Sequence, residues 1–272
     1  MPDDPRDAVS DAPGPDLPPS LRARRIGKVA VLTLARPAKR NALNDETVLG
    51  IERFFTALPE DIGCVVLDAE GDHFSSGLDL SEMGEHDTLS GVRHSRMWHR
   101  AFEQVEFGPV PVVAALKGAV VGGGLELAAA AHLRVAERST FYALPEGMRG
   151  IFVGGGASVR VPRLIGVARM ADLMLTGRRY DAEEGLAIGL SQYVVDDGSG
   201  VEVAVDLATR IAENAAQTNF AIVHALPRIA EANPREGYFL EALMAAIAQD
   251  SDDAKARMRA FLEGRAEKVT DR

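Results

Sequence analysis

The chain has almost no cysteine, and this scarcity excludes two kinds of stabilising site. Its 272 residues include one cysteine, Cys64, which begins the apolar run Cys-Val-Val-Leu. A single thiol cannot form a disulfide framework within one chain, so Cys64 is predicted to be a buried structural residue. The six histidines form no His-Glu-X-X-His motif and no pair spaced four residues apart. No metal site is therefore predicted.

The chain also lacks an excess of basic residues. Its formal net charge is -10 at pH 7 and its pI is about 5.2, whereas proteins that bind a phosphate backbone normally present a basic surface. Nucleic acid is therefore not expected as a partner. A small anionic ligand stays compatible with this charge, because a few local Arg or Lys residues are enough to bind it.

Neither a signal peptide nor a membrane span is found in the sequence. Residues 1–20 carry six prolines and five aspartates without an apolar core, which predicts a disordered, acidic, proline-rich tail. The most apolar stretch, 110–131, is interrupted by Lys117 and Glu126. The protein is therefore expected to be cytoplasmic, with no membrane as a partner.

The hydrophobic pattern predicts an α/β core followed by a helical region. Strand and helix patterns alternate over residues 21–200, whereas residues 201–272 carry only helical patterns. This order is typical of strand–helix units followed by a separate helical region. The predicted core elements are strands at 29–34, 64–69, 110–116 and 192–195, a helix capped by Asn44, a helix at 125–132, and a helix with a capping box of Asp181 and Glu184.

Residues 117–128 carry the most informative pattern and read Lys-Gly-Ala-Val-Val-Gly-Gly-Gly-Leu-Glu-Leu-Ala. A strand runs into three glycines and then into the start of a helix. Glycines let a ligand approach the backbone closely, and the free N–H groups of a helix N-terminus favour negative charge. The segment therefore suits a developing anion, although a glycine triplet alone also fits a plain strand-to-helix turn.

Three other well-known motifs are missing. The dinucleotide pattern Gly-X-Gly-X-X-Gly fails because Leu127 stands at the position of the last glycine, and no P-loop is present. A Gly-X-Ser-X-Gly elbow is also absent, which argues against an α/β-hydrolase.

Glu126 stands among apolar residues in the first turn of the predicted helix. A glutamate there gains about 0.3–1 kcal/mol from the helix dipole, and this is its ordinary role. Its neighbours over 125–131 are otherwise apolar, so the helix is predicted to lie in the core. Since an unpaired buried carboxylate is costly and commonly marks a functional site, both interpretations of Glu126 stay open from the residues alone.

Five segments, taken in order, resemble the crotonase family, also called the enoyl-CoA hydratase/isomerase family. They are Arg36-Pro37 with Asn-Ala-Leu-Asn at 41–44, Phe-Ser-Ser-Gly-Leu-Asp-Leu at 74–80, the glycine triplet with Glu126, Leu-Pro-Glu-Gly at 144–147, and a Leu-Thr-Gly to Val-Val block over 175–195. The resemblance covers residues 24–265. It implies a crotonase-type spiral of ββα units with a C-terminal helical region that forms trimers or dimers of trimers.

The resemblance also implies an activity and a set of catalytic groups. An enoyl-CoA hydratase adds water across the 2,3-double bond of an acyl-CoA thioester, with no further cofactor. The backbone amides of Leu78 and Gly123 are implied to hold the thioester oxygen. Glu126 is implied to activate water and Glu146 to protonate Cα, with the two carboxyl groups titrating as a pair.

Further residues are implied to contact CoA, and three departures from the family pattern bear on the substrate. The implied CoA contacts are Ser76, Leu78, Asp79, Leu80 and Gly123, with Lys39 or Arg40 at the phosphates. Gly264 stands where the family has a C-terminal lysine, so Arg265 or Lys268 is expected to compensate. Ile-Phe-Val-Gly-Gly-Gly at 151–156 replaces a Pro-Gly pair beside the acyl group, and the segment 81–107, expected to cover the acyl pocket, matches no family pattern.

Other activities stay open. An enoyl-CoA isomerase needs only one acid, so the presence of both favours hydration. A thioester hydrolase is possible on the same scaffold, and the Leu-Pro-Glu-Gly and Gly-Gly-Gly segments resemble those of methylthioacryloyl-CoA hydratases. From another class, a non-catalytic acyl-CoA-binding homologue would be expected to lack one of the two acids.

Overall fold

The computed structural model describes residues 9–11, 16–82 and 87–265 of the chain. The chain divides into two compact units at the boundary between Ala212 and Glu213. The sequence pattern places this division at residue 200 instead. The difference concerns one helix, α7 (Gly200–Ala212), which belongs to the first unit because its apolar face packs on the main sheet.

The first unit contains ten strands and seven helices in the described residues. The strands are β1 Val9–Asp11, β2 Leu21–Ile26, β3 Val29–Leu34, β4 Cys64–Ala69, β5 Val112–Leu116, β6 Ala119–Val121, β7 Leu133–Glu137, β8 Phe141–Ala143, β9 Arg179–Asp181 and β10 Tyr193–Val195. The helices are α1 Asp45–Thr56, α2 Thr88–Glu106, α3 Gly123–Ala130, α4 Ala157–Ile165, α5 Val167–Thr176, α6 Ala182–Ile188 and α7. The alternation of strands and helices confirms the predicted α/β class.

The strands form two sheets. The larger has the order β1-β2-β3-β4-β5-β7-β10, antiparallel from β1 to β3 and parallel from β3 onward. The smaller has the order β6-β8-β9. Its strand β6 leads through Gly122 into the start of α3 at Gly123, and its strand β8 leads into the loop that carries Glu146, so this sheet positions the candidate site.

The central strands bury both of their faces, which explains their continuous apolar sequences. Along β4, Cys64 and Val66 pack in the cluster that contains α7, whereas Val65 and Leu67 pack in the cluster that contains α1, α2 and α3. Side chains alternate between the faces of a strand, so one apolar run serves two layers of helices. Cys64 is a free, fully buried thiol, as the sequence predicts.

The N-terminal segment differs in part from the disordered tail that its composition suggests. Residues 9–11 form β1, which pairs antiparallel with the edge strand β2. Ser20 is buried and accepts a hydrogen bond from the Thr47 hydroxyl at 2.7 Å. The open edge of β2 supplies the backbone hydrogen bonds that order residues 9–11. The rest of the predicted tail, 1–8 and 12–15, lies outside the described residues.

Helix caps follow the sequence signals closely. Asn44 accepts a hydrogen bond from the Thr47 N–H at the start of α1. Asp181 and Glu184 form the predicted capping box at the start of α6. These local signals work because each cap satisfies N–H groups that have no partner within their own helix.

Helix α3 begins two residues earlier than predicted, inside the glycine triplet. Gly122 precedes it with φ of 53°, and Gly123 is its first helical residue. A glycine reaches this positive φ without strain, so the chain turns from β6 directly into the helix. The N–H of Gly123 therefore lies at the helix N-terminus, where the peptide dipoles favour negative charge.

The second unit is helical throughout its described residues. It contains α8 Ala216–Phe220, a π-helical turn Ala221–Ala225, α9 Leu226–Glu231, α10 Pro234–Asp250 and α11 Asp252–Leu262. Several large apolar side chains of this unit are exposed in the single chain, among them Tyr238, Phe239, Ile247, Phe261 and Leu262. The self-association assigned to this region by the resemblance stays a prediction.

Candidate active site

The loop 74–79 is held between two other segments and brings residue 78 beside helix α3. Ser75 forms a bridge with Val120 of β6, and Leu78 forms one with Leu43. The Ser75 N–H donates to the carbonyl of Ala119 at 2.9 Å. These backbone pairings fix the loop from both sides, so the position of the Leu78 amide does not depend on its own side chain.

The amides of Leu78 and Gly123, implied as the oxyanion hole, are neighbours in the structure. Gly77 has φ of 90°, and a Cβ at this position would lie 2.6 Å from Val121 O and 3.0 Å from Gly123 N. A Cβ on Gly123 would lie 3.3 Å from Leu78 N. Within the described residues, neither amide donates a hydrogen bond to another residue. Two adjacent free N–H groups, one at a helix N-terminus, suit an oxyanion.

Glu126 is almost fully buried in the first turn of α3. Its Oε1 accepts hydrogen bonds from the N–H groups of Gly155 at 2.8 Å and Ala157 at 3.0 Å. Burial raises the pKa of this carboxyl group, and the two N–H donors only partly oppose that effect. A buried carboxyl group with a raised pKa is typical of residues that exchange protons in acid–base chemistry.

Glu146 follows β8 and is only 8% exposed. Its Oε2 is buried without a hydrogen-bond partner among the described residues. Burial, together with the smaller effect of the nearby charge of Glu126, raises the pKa of Glu146 to about 7. A buried carboxylate oxygen without a partner is costly, so its presence points to a functional role.

Gly122 explains how Glu146 reaches the helix N-terminus. A Cβ on Gly122 would lie 2.9 Å from Glu146 Oε1, so any larger residue there would displace the carboxylate. The glycine triplet thus has separate uses: Gly122 makes room for Glu146, and Gly123 presents its amide beside Leu78. Both glutamates therefore converge on the N-terminus of α3, where the two free amides lie.

Comparison with known proteins assigns the family. The model of the enoyl-CoA hydratase/isomerase family matches residues 24–272. The chain belongs to this family. A short-chain-enoyl-CoA hydratase from Clostridium acetobutylicum is 31% identical over 242 residues, which cover 88% of this chain and 93% of that protein. The fatty acid oxidation complex subunit alpha from Shewanella frigidimarina is 35% identical over 195 residues, but this chain covers only 28% of its length.

Solved structures of the enoyl-CoA hydratase/isomerase family share the fold. A protein from Rhodopseudomonas palustris CGA009, provisionally assigned as an enoyl-CoA hydratase, superposes with a TM-score of 0.89 at 56% identity, over 91% of this chain and 96% of that one. An enoyl-CoA hydratase from Bacillus anthracis superposes with a TM-score of 0.85 at 29% identity, over 92% of this chain and 98% of that one. These likenesses confirm the predicted crotonase-type fold class.

The residues implied to contact CoA lie together along the loop 76–80, but one of the two basic candidates already has a partner. Lys39 donates to Asp79 Oδ2 at 3.0 Å, and Arg36 donates to the same oxygen at 2.8 Å. The hydrogen bond from the Ser81 hydroxyl, together with those from the two cations, holds the pKa of Asp79 well below its usual range. Asp79 therefore has a buried, structural side chain, and any contact of Lys39 with a phosphate must compete with it.

The remaining implied contacts are on the surface or outside the described region. Arg40 is exposed and has φ of 51°, and its carbonyl accepts the N–H of Ser76 at 2.9 Å. Leu80 is 45% exposed and begins a short 3-10 turn. Arg265 is described and interacts with Glu263, whereas Lys268 lies outside the described residues. Contact of these groups with CoA stays a prediction.

The roles of two features of the site are not predicted by any motif in the sequence. Trp98 of α2 is only 3% exposed and faces both Gly123 and Gly155; the sequence places it only within a segment expected to cover the acyl pocket. The segment 154–157, interpreted as a rim, supplies the donors to Glu126. The sequence signal for this role is the run of three glycines at 154–156 followed by a helix start, which resembles the glycine triplet before Glu126 itself.

Neither a membrane span nor a metal-ion site is found among the described residues. Every helix there is too short or too polar to span a bilayer. The same residues contain no grouping of three or more His, Cys, Asp or Glu side chains suited to a metal ion.

The pKa of Glu146 predicts a pH-dependent stability. Between its ordinary value of 4.5 and about 7, the folded protein binds more protons at Glu146 than the unfolded chain does. The contribution of Glu146 to the free energy of unfolding is therefore fully present at low pH, and it is lost as the pH rises through that window. Glu146→Gln cannot ionise, so its free energy of unfolding should rise relative to wild type by roughly 3 kcal/mol between about pH 4 and about pH 8.

Urea denaturation of both proteins across this pH range measures the effect. The matched control is Glu60→Gln, which alters an exposed glutamate in the turn after α1 and should leave the difference from wild type constant with pH. A constant difference for Glu146→Gln as well would show that Glu146 titrates normally.

Proposed function

We propose that the protein is an enoyl-CoA hydratase that adds water across the 2,3-double bond of an acyl-CoA thioester. The observation that carries this proposal is the convergence of two buried glutamates on the N-terminus of α3, beside two free amides. Family membership supports an acyl-CoA substrate, and the relative from C. acetobutylicum is named for this reaction.

The proposed reaction uses the amides first. The thioester oxygen accepts hydrogen bonds from the N–H groups of Leu78 and Gly123. Hydroxide addition at Cβ moves electron density onto this oxygen, and the amides stabilise the resulting enolate. Because these donors belong to the backbone and are held by the loop 74–79 and by α3, they need no reorganisation as the charge develops.

The two carboxyl groups complete the addition. Glu126, fixed by the Gly155 and Ala157 N–H groups, orients the water and accepts its proton as the C–O bond forms. Glu146, whose pKa of about 7 keeps a large protonated fraction near neutral pH, donates a proton to Cα. One proton is gained and one is lost by the pair, so the site can return to its starting state by proton exchange between them through the product or solvent.

A spectrophotometric screen tests the proposal. Incubation with a panel of 2-enoyl-CoA esters should remove absorbance at the conjugated-enoyl band, with the 3-hydroxyacyl-CoA as product. Formation of that band from 3-enoyl-CoA esters without hydration would identify an isomerase instead, and release of free CoA would identify a thioester hydrolase. Binding of CoA esters without any turnover would favour a non-catalytic role.

The position of Trp98 predicts the length of the acyl chain that the site accepts. Its Cζ3 lies 2.9 Å from the position that a Cβ of Gly123 would occupy, and its Cε3 lies 3.1 Å from the corresponding position of Gly155. The indole is held in place by a hydrogen bond from Nε1 to Asp45 Oδ1 at 3.2 Å. It therefore closes the side of the site formed by α2, so we expect a short acyl group as substrate.

Trp98→Ala should shift the preference towards longer chains. Space left by the indole would accommodate several methylenes, and kcat/KM for a longer enoyl-CoA should rise relative to the short one by about tenfold or more. Trp98→Phe keeps an aromatic ring in the same place and should shift the preference less. An unchanged chain-length profile in a folded Trp98→Ala protein would place the acyl chain elsewhere.

A further inference from the structure

The position of the Glu126 carboxylate is set by main-chain groups of the segment 154–157. Gly155 and Ala157 each donate an N–H to Glu126 Oε1. A Cβ on Gly155 would lie 2.7 Å from Glu126 Oε2, so this segment also lies against the second oxygen. No side chain among the described residues donates a hydrogen bond to this carboxylate. Its orientation therefore depends on the conformation of the segment.

Arg160 holds this segment from the opposite side. It lies in the first turns of α4, and its Nη1 donates to the carbonyl of Gly155 at 2.9 Å. Gly156 has φ of 109°, and a Cβ there would collide with Arg160 Nη1. The positive φ at Gly156 and the absence of a side chain are both needed for the guanidinium to reach back to Gly155.

Glu106 at the end of α2 anchors Arg160 in turn. Arg160 Nε donates to Glu106 Oε2 at 2.6 Å. The arginine side chain is 7% exposed and that of the glutamate is 25% exposed. A guanidinium this deeply buried needs an anionic partner, because desolvation of an unpaired charge is costly. The contacts thus run from α2 through Arg160 and Gly155 to Glu126 on α3.

The charges around Glu126 come from three elements. Arg160 on α4 opposes the increase in the pKa of Glu126 that burial causes. Glu146, with Arg149 near it, faces Glu126 from the turn after β8. Helix α2 contributes His99, which interacts with the backbone of Gly154, and the Glu106 partner of Arg160.

We propose that Arg160, anchored by Glu106, is a positioning residue for Glu126: it fixes the peptide group of Gly155 and places a positive charge beside the carboxylate. This inference rests on the proposed role of Glu126 as the base for water. A purely structural ion pair between α2 and α4 would affect stability only. A positioning pair also shifts the pKa of Glu126. Removal of the Arg160 charge should raise this pKa, whereas removal of the Glu106 charge should lower it.

Arg160→Gln and Glu106→Gln test whether the pKa of Glu126 shifts in opposite directions. Activity that needs ionised Glu126 is lost as pH falls through the pKa of this group, which sets the acid limb of the kcat/KM profile. Arg160→Gln removes the positive charge, so the acid limb should move to higher pH by about one unit. Glu106→Gln leaves the charge of Arg160 uncompensated, so the acid limb should move to lower pH.

Two more variants separate charge from geometry. Arg160→Lys keeps the charge without the forked geometry that joins Gly155 and Glu106, so kcat should fall about ten- to a hundredfold without an upward shift of the acid limb. Arg163→Gln is the matched control, because it removes an exposed arginine from the same helix. Its kcat, KM and pH profile should equal those of wild type.

A direct titration keeps the test independent of turnover. The carboxyl carbon of Glu126 is followed by NMR in protein labelled with ¹³C-glutamate, and its signal is assigned by its loss in Glu126→Gln. Opposite displacements of this titration in Arg160→Gln and Glu106→Gln support the inference even if no enoyl-CoA is hydrated, in which case the proposed function alone fails.

One result overturns the inference. If Glu126 titrates at the same pH in every folded variant, and activity falls only in proportion to thermal stability, Arg160 and Glu106 form a structural pair. Should Arg160→Gln fail to fold, Glu106→Gln and Arg160→Lys still give this comparison, because each retains a cation at position 160.

Discussion

Glu126→Gln is expected to lower kcat/KM for hydration on the order of 10²–10⁴-fold while leaving the fold intact. The amide oxygen of glutamine still accepts the Gly155 and Ala157 N–H groups, so the side chain keeps its place. It cannot accept a proton from water, however. The variant therefore isolates acid–base chemistry from positioning, and thermal unfolding close to that of wild type confirms that the fold is unchanged.

Glu146→Gln is expected to have an effect of similar size, because the proton to Cα then has no donor. The double variant should be only slightly worse than either single one, since residues that act as a unit are strongly non-additive. Glu60→Gln in the turn after α1 serves again as the exposed control and should retain wild-type activity. Hydration at a wild-type rate in either Glu126→Gln or Glu146→Gln would contradict the proposed mechanism.

Gly123→Ala should lower kcat/KM on the order of 10²–10³-fold, the effect of losing one oxyanion donor. Gly123 does not have a positive φ, so an alanine is compatible with the helix start. Its methyl group would lie 2.9 Å from Trp98 Cζ3 and 3.3 Å from Leu78 N. The methyl would thus occupy the space beside the two amides where the thioester oxygen is proposed to bind.

Gly91→Ala is the matched control for this substitution. Gly91 lies in α2 with no atom within 4 Å of an added Cβ, so alanine there should retain activity and slightly raise stability. Steady-state kinetics and thermal unfolding of the two variants form the comparison. If a folded Gly123→Ala protein had wild-type kcat/KM, the proposal that the thioester oxygen binds beside Gly123 would be contradicted.

The sequence predicts the individual strands and helices of this fold well, but it predicts poorly which strands pair with one another. Strands β3 and β4 match the predicted ranges, and the capping box of α6 is present, because a strand pattern and a cap depend on residues close in the chain. The start of α3 differs by two residues, since glycine has no intrinsic preference that marks where a helix begins. The order β5-β7-β10 in the large sheet is set by long-range pairing that no local pattern records.

In the candidate site, too, the sequence reveals residues that belong to local motifs but does not reveal contacts between distant segments. Glu126, Glu146, Leu78 and Gly123 were identified by their motifs, and the structure brings them together. Arg160 and Glu106 carry no motif, and their connection to Glu126 spans three helices. Lys39 or Arg40 is predicted to contact the CoA phosphates, but the ion pair of Lys39 with Asp79 depends on a contact across 40 residues of chain.

The amino-acid sequence by itself determined the family and the positions of the two candidate acids and of the glycine triplet, because these properties belong to residue types at fixed spacing. Only the tertiary structure decided how buried each carboxyl group is, which main-chain groups hold Glu126, and that Trp98 closes one side of the site. Burial and hydrogen-bond geometry depend on every segment that packs around a group, and segments far apart in the chain meet only after folding.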